Sequence, residues 1–516
     1  MDGRAGRWRW WALAVLLAAE AMNLLDATVV TVAAPVIRAE LGGPAAEIPW
    51  FNAAYTLPFA VLLVTGGRLG DLAGRRRVFV LGTAGFAAAS LVCALAPAPG
   101  LLLAARAVQG AAAALIIPQT VGLIRAVFDG PELARAMSGI GPVMGLAAIL
   151  GPLLGAVLTR ADLGGLSWRA VFLVNLPLAG GVLAGARLLP GGGSAGGGAD
   201  GGSVGGADGS AGEGAGEGAR GGRRGRLDPV GTVLLAAAGA LLSLPLLTGG
   251  RVLGDGWRIT ELAFGAVLLV LFAVQQRVRV RAGRAALVEP GLFRDRAFPS
   301  ALVASTLFFA VLNGLLPVIV LQVQLGAGLG VLAAGLTLLP WTAAMAAGSL
   351  AAGARLVPRH GHRVMRAGLA VLALGLAAVI AGYAATDAHR YPWPVLPGLA
   401  VAGLGCGLFT VPFFTTALAG VRPHETGSAA GLLNAVQQFG ATLGTALLGG
   451  VFLARLDGVP DPAAGSLPAA RLVFAVAVGL VAAVVPAARA MVGAMAGTGD
   501  GRGVDRSAER GVRAGR

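Results

Sequence analysis

The chain has 516 residues, of which 56% are hydrophobic and only 13% charged, with a mean hydropathy of +0.77 and a formal net charge of +15. A soluble domain of this size cannot keep so much apolar surface from water, which excludes an ordinary water-soluble enzyme and points to a membrane protein. All 40 basic residues are arginine; without lysine there is no phosphate-cradling Gly-x-x-x-x-Gly-Lys loop, so energy must come from an ion gradient or a separate subunit.

Apolar stretches able to cross a hydrocarbon core of about 30 Å recur along the chain. They fall near 11–34, 49–66, 78–96, 101–124, 137–158, 170–189, 229–248, 260–276, 298–320, 332–354, 365–385, 395–418, 427–453 and 470–490. The expected fold is therefore an all-α polytopic membrane protein with fourteen transmembrane helices. The basic N-terminal run before the first stretch mimics a signal peptide. That stretch is too long and carries Asp26, so it reads as an uncleaved first helix.

Basic residues are retained on the cytoplasmic side. Arg4, Arg7, Arg9, the cluster from Arg68 to Arg77, the arginines from Arg277 to Arg296 and from Arg355 to Arg366, and the C-terminal tail all fall on one side of the expected topology. Both termini are then cytoplasmic, in the plasma membrane. The net charge reads as a topology signal with attraction to anionic membrane lipid, and no nucleic-acid partner is expected.

One segment interrupts the pattern. Residues 190–226 contain 18 glycines and no hydrophobic periodicity, so a disordered Gly-rich cytoplasmic linker is expected. It divides the chain into 1–189, a six-helix bundle; 227–297, an inserted helix pair with its connecting loop; 298–490, a second six-helix bundle; and 491–516, a cytoplasmic tail. A protease added to inverted vesicles is expected to cut within 190–226 and leave two halves, whereas right-side-out vesicles stay intact. Protection in inverted vesicles would contradict this topology.

Few ionisable groups lie within the apolar stretches. An ionised carboxylate at mid-membrane costs several kcal/mol, about 2.5–3.5 for Asp on insertion scales. Asp26 sits near the centre of its stretch, where it can hold a proton when occluded and release it when open to the cytoplasm. It is the leading proton-coupling candidate and a counter-ion for a cationic substrate; the bland reading is a structural hydrogen bond. Glu20, on a different face of the same helix, is either a second coupling acid or an interfacial residue. Arg106 is the one basic residue placed more than two residues inside a stretch, and it needs a carboxylate, carbonyl oxygens or water. Gln109 follows at i+3 on the same face. Asn313, and Asn434, Gln437 and Gln438 at i, i+3, i+4, offer amides that either line a substrate cavity or bond helix to helix. Asn23 and Gln109 join them as cavity candidates. Cys93 and Cys406 read as packing residues. No cofactor or metal is expected.

Five motifs in order resemble the major facilitator superfamily, and specifically its fourteen-helix drug:proton antiporter branch. Gly67, Leu69, Asp71, Gly74, Arg75 and Arg76 match Gly-x-Leu-x-Asp-x-x-Gly-Arg-Arg, with Leu72 in place of the basic residue often found after the acid. Leu25-Asp26-Ala27-Thr28 leading to Pro35 is similar to the first-helix signature, departing at Thr31, where asparagine is usual. Arg106, Gln109 and Gly110 resemble Arg-x-x-Gln-Gly. Gly145 with Gly151, Pro152 and Gly155 resembles the antiporter Gly-Pro-x-x-Gly motif, and Trp168-Arg169 with Phe172, Asn175 and Pro177 completes the set. The resemblance implies two six-helix bundles with two inserted helices, rocking about a midplane site. It implies proton coupling at Arg106, a conformational latch at Gly67, Asp71, Gly74, Arg75 and Arg76, and a tightly packed antiporter helix at Gly145, Gly151, Pro152 and Gly155.

The expected function is proton-coupled export of hydrophobic or cationic drugs, antibiotics or secondary metabolites, by a non-enzyme that functions as a monomer with a small molecule and protons as partners. The alternatives are export of an endogenous metabolite such as an amino acid, or uptake; a receptor or a membrane enzyme ranks lower, since no cluster of acids, histidines or a nucleophile gathers near one interface.

Overall fold

The structure is a computed structural model. It describes residues 2–128, 132–133, 135–136, 140–190, 228–247, 258–282, 284, 287–288, 290–387, 390–419, 421, 426–457 and 459–500. The expected linker lies outside the described residues, apart from Pro190.

The described residues are almost wholly helical. The principal helices are α1 (Asp2–Leu41), α2 (Ile48–Ala73), α3 (Arg75–Ala94), α4 (Pro99–Val127), α5 (Ile140–Ala161) and α6 (Arg169–Leu188). After the linker come α7 (Pro229–Leu247) and α8 (Arg258–Arg281), then α9 (Ala297–Leu321), α10 (Val331–Ala351), α11 (Arg363–Ala384), α12 (Leu396–Ala419), α13 (Thr426–Leu456) and α14 (Pro462–Asp500). Eleven helical stretches are long and apolar enough to cross a membrane, and Ile48–Leu63, Ile149–Ala161 and Pro229–Leu242 are shorter apolar helices.

Helix ends differ from expectation where hydropathy does not set them. The charged segment from Gly67 reads as a turn in the sequence, but α2 continues through it to Ala73. Arg68, Leu69, Asp71, Leu72 and Ala73 all tolerate helix, and isolated glycines do not break it. The reversal is confined to Gly74, at φ 93° and ψ 123°, a backbone conformation that favours glycine. Likewise α1 runs through Pro35 to Leu41 and ends at Gly42 and Gly43, both at positive φ. A membrane helix accommodates an internal proline when neighbouring helices satisfy the freed carbonyl.

Helices α1 to α6 pack as one bundle, with α4 against α2 and α3, and α1 against α4, α5 and α6. Helices α9 to α14 form the second, in which α12 lies between α10 and α11 while α9 packs on α13 and α14. Small residues let these backbones meet: a side chain at Gly375 would strike the Ala402 backbone, and one at Gly405 that of Leu372. Phe308, Phe409 and Phe413 fill the second core, with Phe308 and Phe409 ring centres 4.2 Å apart.

The bundles meet along α2–α13 and α5–α10. The contacts gather towards the end of the molecule that carries the 42–47 loop. Thr56 and Thr442 hydroxyls pair at 2.7 Å, Ala53 packs on Ala446, and Gln324 Nε2 donates to the Val32 carbonyl at 2.9 Å. Gln324 belongs to a π-helical turn, Gln322–Gly326, that closes α9. The inserted pair rides on the first of these seams. Helix α7 meets α2 through a 2.9 Å Thr65–Thr232 hydroxyl pair and meets α13 where Gly239 faces Phe439. Its buried Asp228 accepts from the Gly231 amide, Gln275, Gln276 and Arg279, tying the start of α7 to α8.

Candidate functional site

Asp26 and Arg106 form a fully buried ion pair inside the first bundle. Helix α1 supplies the acid and α4 the base. Arg106 Nη1 donates to Asp26 Oδ2 and, at 2.7 Å, to Gln109 Oε1; its Nε donates to the Phe51 carbonyl at 3.0 Å. The guanidinium lies over the Tyr55 ring, 4.5 Å from its centre, and 5.8 Å from that of Phe172. The other carboxylate oxygen, Oδ1, accepts from Gln109 Nε2 at 2.8 Å and from Asn175 Nδ2 at 2.7 Å. Ser90 Oγ accepts from the same two amides and donates to the Phe86 carbonyl. Every neighbour of the carboxylate donates to it, which is the pattern of an ionised acid.

The local sequence explains this convergence. Gln109 stands one helical turn beyond Arg106, so the two point the same way and arrive together. Asn175 begins the second segment of α6, just past an interruption at Val174 and two residues before Pro177. Trp168 and Arg169 anchor the start of α6 to the far end of α1 through Glu40, at 2.9 Å and 3.2 Å.

The other expected residues are placed as follows. Glu20 is buried on α1 with its carboxyl against the Thr120 hydroxyl. Asn23, expected in a cavity, is buried instead: its amide donates to the Ala19 carbonyl and its oxygen faces Tyr55 OH at 3.4 Å. Gln109, also expected in the cavity, is sealed within the ion-pair cluster, because its amide is the right length to bridge Asp26 and Ser90. In the second bundle Asn313 Nδ2 returns to its own helix at Phe309 O, Asn434 is exposed, and Gln437 and Gln438 are half-buried. Gln437 Oε1 is buried without a partner.

Around Gly74, Arg75 Nη1 donates to the Gly122 carbonyl at 2.9 Å, and Arg76 Nε to the Ala186 carbonyl at 3.0 Å. Both arginines thus reach carbonyls in the last turns of α4 and α6, the negative ends of those helices. The side chain of Asp71 lies outside the described residues. Gly67 makes only ordinary contact with Pro118, 3.5 Å from where a Cβ would stand. The tight approaches of α2 to α4 are instead at Gly66 and Gly70, which face the Ala114 carbonyl and the Gln119 amide. In α5, Gly151 and Gly155 pack on Thr28 and Val29 of α1, while Pro152 and Ala156 face Gly335 of α10. One helix therefore joins the Asp26 helix to the other bundle. Gly145 lies in this helix, on its turn nearer Ile140.

The sequence matches the Major Facilitator Superfamily over residues 16–202 and 227–445. The chain belongs to that superfamily. It is 40% identical to a probable actinorhodin transporter of Streptomyces coelicolor, over 87% of this chain and 73% of that protein. It is 33% identical to the cephamycin export protein CmcT of Amycolatopsis lactamdurans, with 92% of each covered, and 31% identical to the multidrug efflux pump LfrA of Mycolicibacterium smegmatis, over 93% of this chain and 89% of that protein. Among solved structures, an inward-facing, unoccupied bacterial homologue of the human lysosomal transporter Spinster superposes with a TM-score of 0.61 at 17% identity, covering 94% of this chain and 98% of the other; this likeness concerns the fold. The chain is thus a multi-pass transporter of the superfamily's drug-efflux branch and not an enzyme.

Within this superfamily fold, several site residues have no role that their sequence position alone reveals. Asn175 stood in a motif, Ser90 and Tyr55 in apolar stretches, and Glu40 beyond the first of them. The signal available was polarity inside a span, which marks a residue that faces protein. Gly110 is another. A side chain there would collide with the Tyr55 carbonyl, one turn from Arg106. Gly110→Ala is expected to push α4 away from α2, lower the melting temperature in detergent by an amount corresponding to about 1–3 kcal/mol, and reduce transport. Gly180→Ala on α6, with open space around it, is the control and stays near wild type.

Proposed function

We propose that the chain is a proton-coupled antiporter that exports hydrophobic or cationic compounds, antibiotics or other drugs among them, across the plasma membrane by alternating access. The observation that carries the reading is the ion pair of Asp26 with Arg106, sealed inside the bundle, its carboxylate held by donors from α4 and α6 while Arg106 Nη2 is left without a partner. Burying two charges is costly, and a nonpolar pair of similar volume would often hold a bundle as well. Their retention at mid-span fits a carboxylate that must gain and lose a proton. Names of the relatives, an antibiotic transporter, an antibiotic export protein and a drug pump, support the direction and substrate class.

The protein crosses the membrane fourteen times, the three shorter apolar helices adding to the eleven long ones. Bundles 1–189 and 298–490 flank the inserted pair, and both termini are cytoplasmic. With that orientation the bundle contacts near Thr56, Val32 and Gly335 close the outer side, so the described state faces inward. Protonation of Asp26 would release Arg106 and free the bundle to rock; Glu20 is a second coupling acid nearer the cytoplasm. Gly67, Asp71, Gly74, Arg75 and Arg76 form the conformational latch, and Gly145, Gly151, Pro152 and Gly155 make α5 the helix through which α1 acts on α10. Asn313, Asn434, Gln437 and Gln438 face the substrate from the second bundle. The protein acts as a monomer.

Expression in a host stripped of its own pumps tests this. Resistance to part of a panel of dyes and antibiotics, and reduced accumulation that a protonophore abolishes, are expected. Reduced accumulation that survives the protonophore would overturn the proton coupling.

A further inference from the structure

The ion-pair cluster must accommodate Asp26 in two protonation states, and the described geometry serves only one of them. As an ionised carboxylate Asp26 needs donors, and it has three: Arg106 Nη1, Gln109 Nε2 and Asn175 Nδ2. Once protonated, it carries an O–H that needs an acceptor, and a buried O–H without one is penalised.

The acceptors within the cluster can be taken in turn. Gln109 Oε1 is occupied by Arg106 Nη1 and faced by the Cys93 thiol at 3.8 Å. Ser90 Oγ already accepts from Gln109 and Asn175, and its own hydrogen goes to the Phe86 carbonyl. The Phe51 carbonyl accepts from Arg106 Nε. Asn23 Oδ1 faces Tyr55 OH. Of the side-chain amide oxygens in the cluster, among the described residues, Asn175 Oδ1 alone is buried with no hydrogen-bond partner. Only the Nδ2 end of that amide can face a carboxylate, so the orientation with Oδ1 turned away is dictated by the ionised state.

We infer that Asn175 is the proton-state partner of Asp26: its amide donates through Nδ2 to the ionised carboxylate, and turns about its Cβ–Cγ bond to accept the carboxyl O–H through Oδ1 when Asp26 is protonated. The proton arrives on Asp26 Oδ1, the Nδ2···Oδ1 contact gives way to O–H···Oδ1, and Gln109 keeps its bond to Ser90. An amide suits this position because it offers a donor and an acceptor at one place. A carboxylate offers no donor, and an aliphatic side chain neither. The charged and titratable groups around Asp26 are Arg106 from α4, Tyr55 from α2, Cys93 from α3 and Glu20 on α1 itself; among the described residues α5 and α6 bring none.

This inference rests on Asp26 carrying the coupled proton, and infrared difference spectroscopy on the purified full-length protein in liposomes keeps the two apart. A pH step should produce a protonated-carboxyl C=O band that is absent in Asp26→Asn. In Asn175→Leu the band should move to higher frequency, as for a carboxyl group that has lost its acceptor. Efflux driven by a pH gradient should fall about ten-fold or more, the scale of one lost buried hydrogen bond. Asn175→Ser, which can still donate and accept, should restore most of both, and covers the case in which the leucine variant folds poorly. A carboxyl band unmoved in Asn175→Leu and Asn175→Ser, with a wild-type pH profile of efflux, overturns the role of Asn175 and leaves Asp26 intact. A band that persists in Asp26→Asn overturns the proton-carrier reading itself.

Discussion

Asp26→Asn is expected to abolish uphill efflux and, because it leaves Arg106 buried without its counter-charge, to lower stability, while the protein that reaches the membrane still binds neutral compounds. The substitution keeps the volume and two hydrogen-bonding atoms, so the contacts of Gln109 and Asn175 with this position can be partly retained. What it removes is the ability to take up and release a proton, and without that step a pH gradient cannot be converted into work on the substrate. Cationic substrates should also lose affinity if the same carboxylate is their counter-ion. Glu20→Gln is the comparison: Glu20 lies about 9 Å further along α1 by helical rise, outside the ion pair, and its loss should reduce efflux less. Substrate accumulation in inverted vesicles under an imposed pH gradient measures both. A well-expressed Asp26→Asn protein that extrudes at the wild-type rate would falsify the assignment and shift the coupling to Glu20.

The second large effect concerns stability. Arg106→Gln leaves Asp26 buried with only amide donors, and breaking a buried pair from one side costs about 3–5 kcal/mol. The melting temperature in detergent should drop sharply, more than for any surface arginine such as Arg77. The double variant Asp26→Asn with Arg106→Gln removes both charges, and most of the lost stability should return although transport does not. This asymmetry between single and double variants is the signature of an interaction between the two groups. If the losses simply add, Asp26 and Arg106 do not stabilise each other, and the coupling must be sought elsewhere.

Most of the architecture was legible in the sequence because a bilayer imposes a length. Each expected apolar stretch from 11–34 to 470–490 overlaps a described helix, and eleven helical stretches are long and apolar enough to cross a membrane; in lipid a run of that length has no alternative way to satisfy its backbone. Ends were less legible. Helix α2 runs on through Arg68 and Asp71, and α1 through Pro35, because beyond the hydrocarbon core a terminus is set by caps and positive-φ glycines rather than by hydropathy. The demand that Asp26 and Arg106 be compensated was readable from each residue alone. That they compensate each other was not, for 80 positions separate them and nothing in local periodicity says that α1 packs on α4. Gln109 reads as a cavity residue for the same reason: its helix face is legible in the sequence, but not what that face meets. Asn175 was visible only as a letter in a motif, its importance depending on the break in α6 that swings it toward α1.

Helix α7 has a wider consequence. Two like bundles would present two equivalent flanks to the bilayer, one between α2 and α13 and one between α5 and α10. By resting on both Thr65 and Phe439, α7 covers the first flank, with α8 packed against it. The rotational likeness of the halves is thereby lost on the lipid side. A compound dissolved in the acyl chains meets a shuttered wall on one side, whereas among the described residues no further helix packs extensively across the joint between α5 and α10.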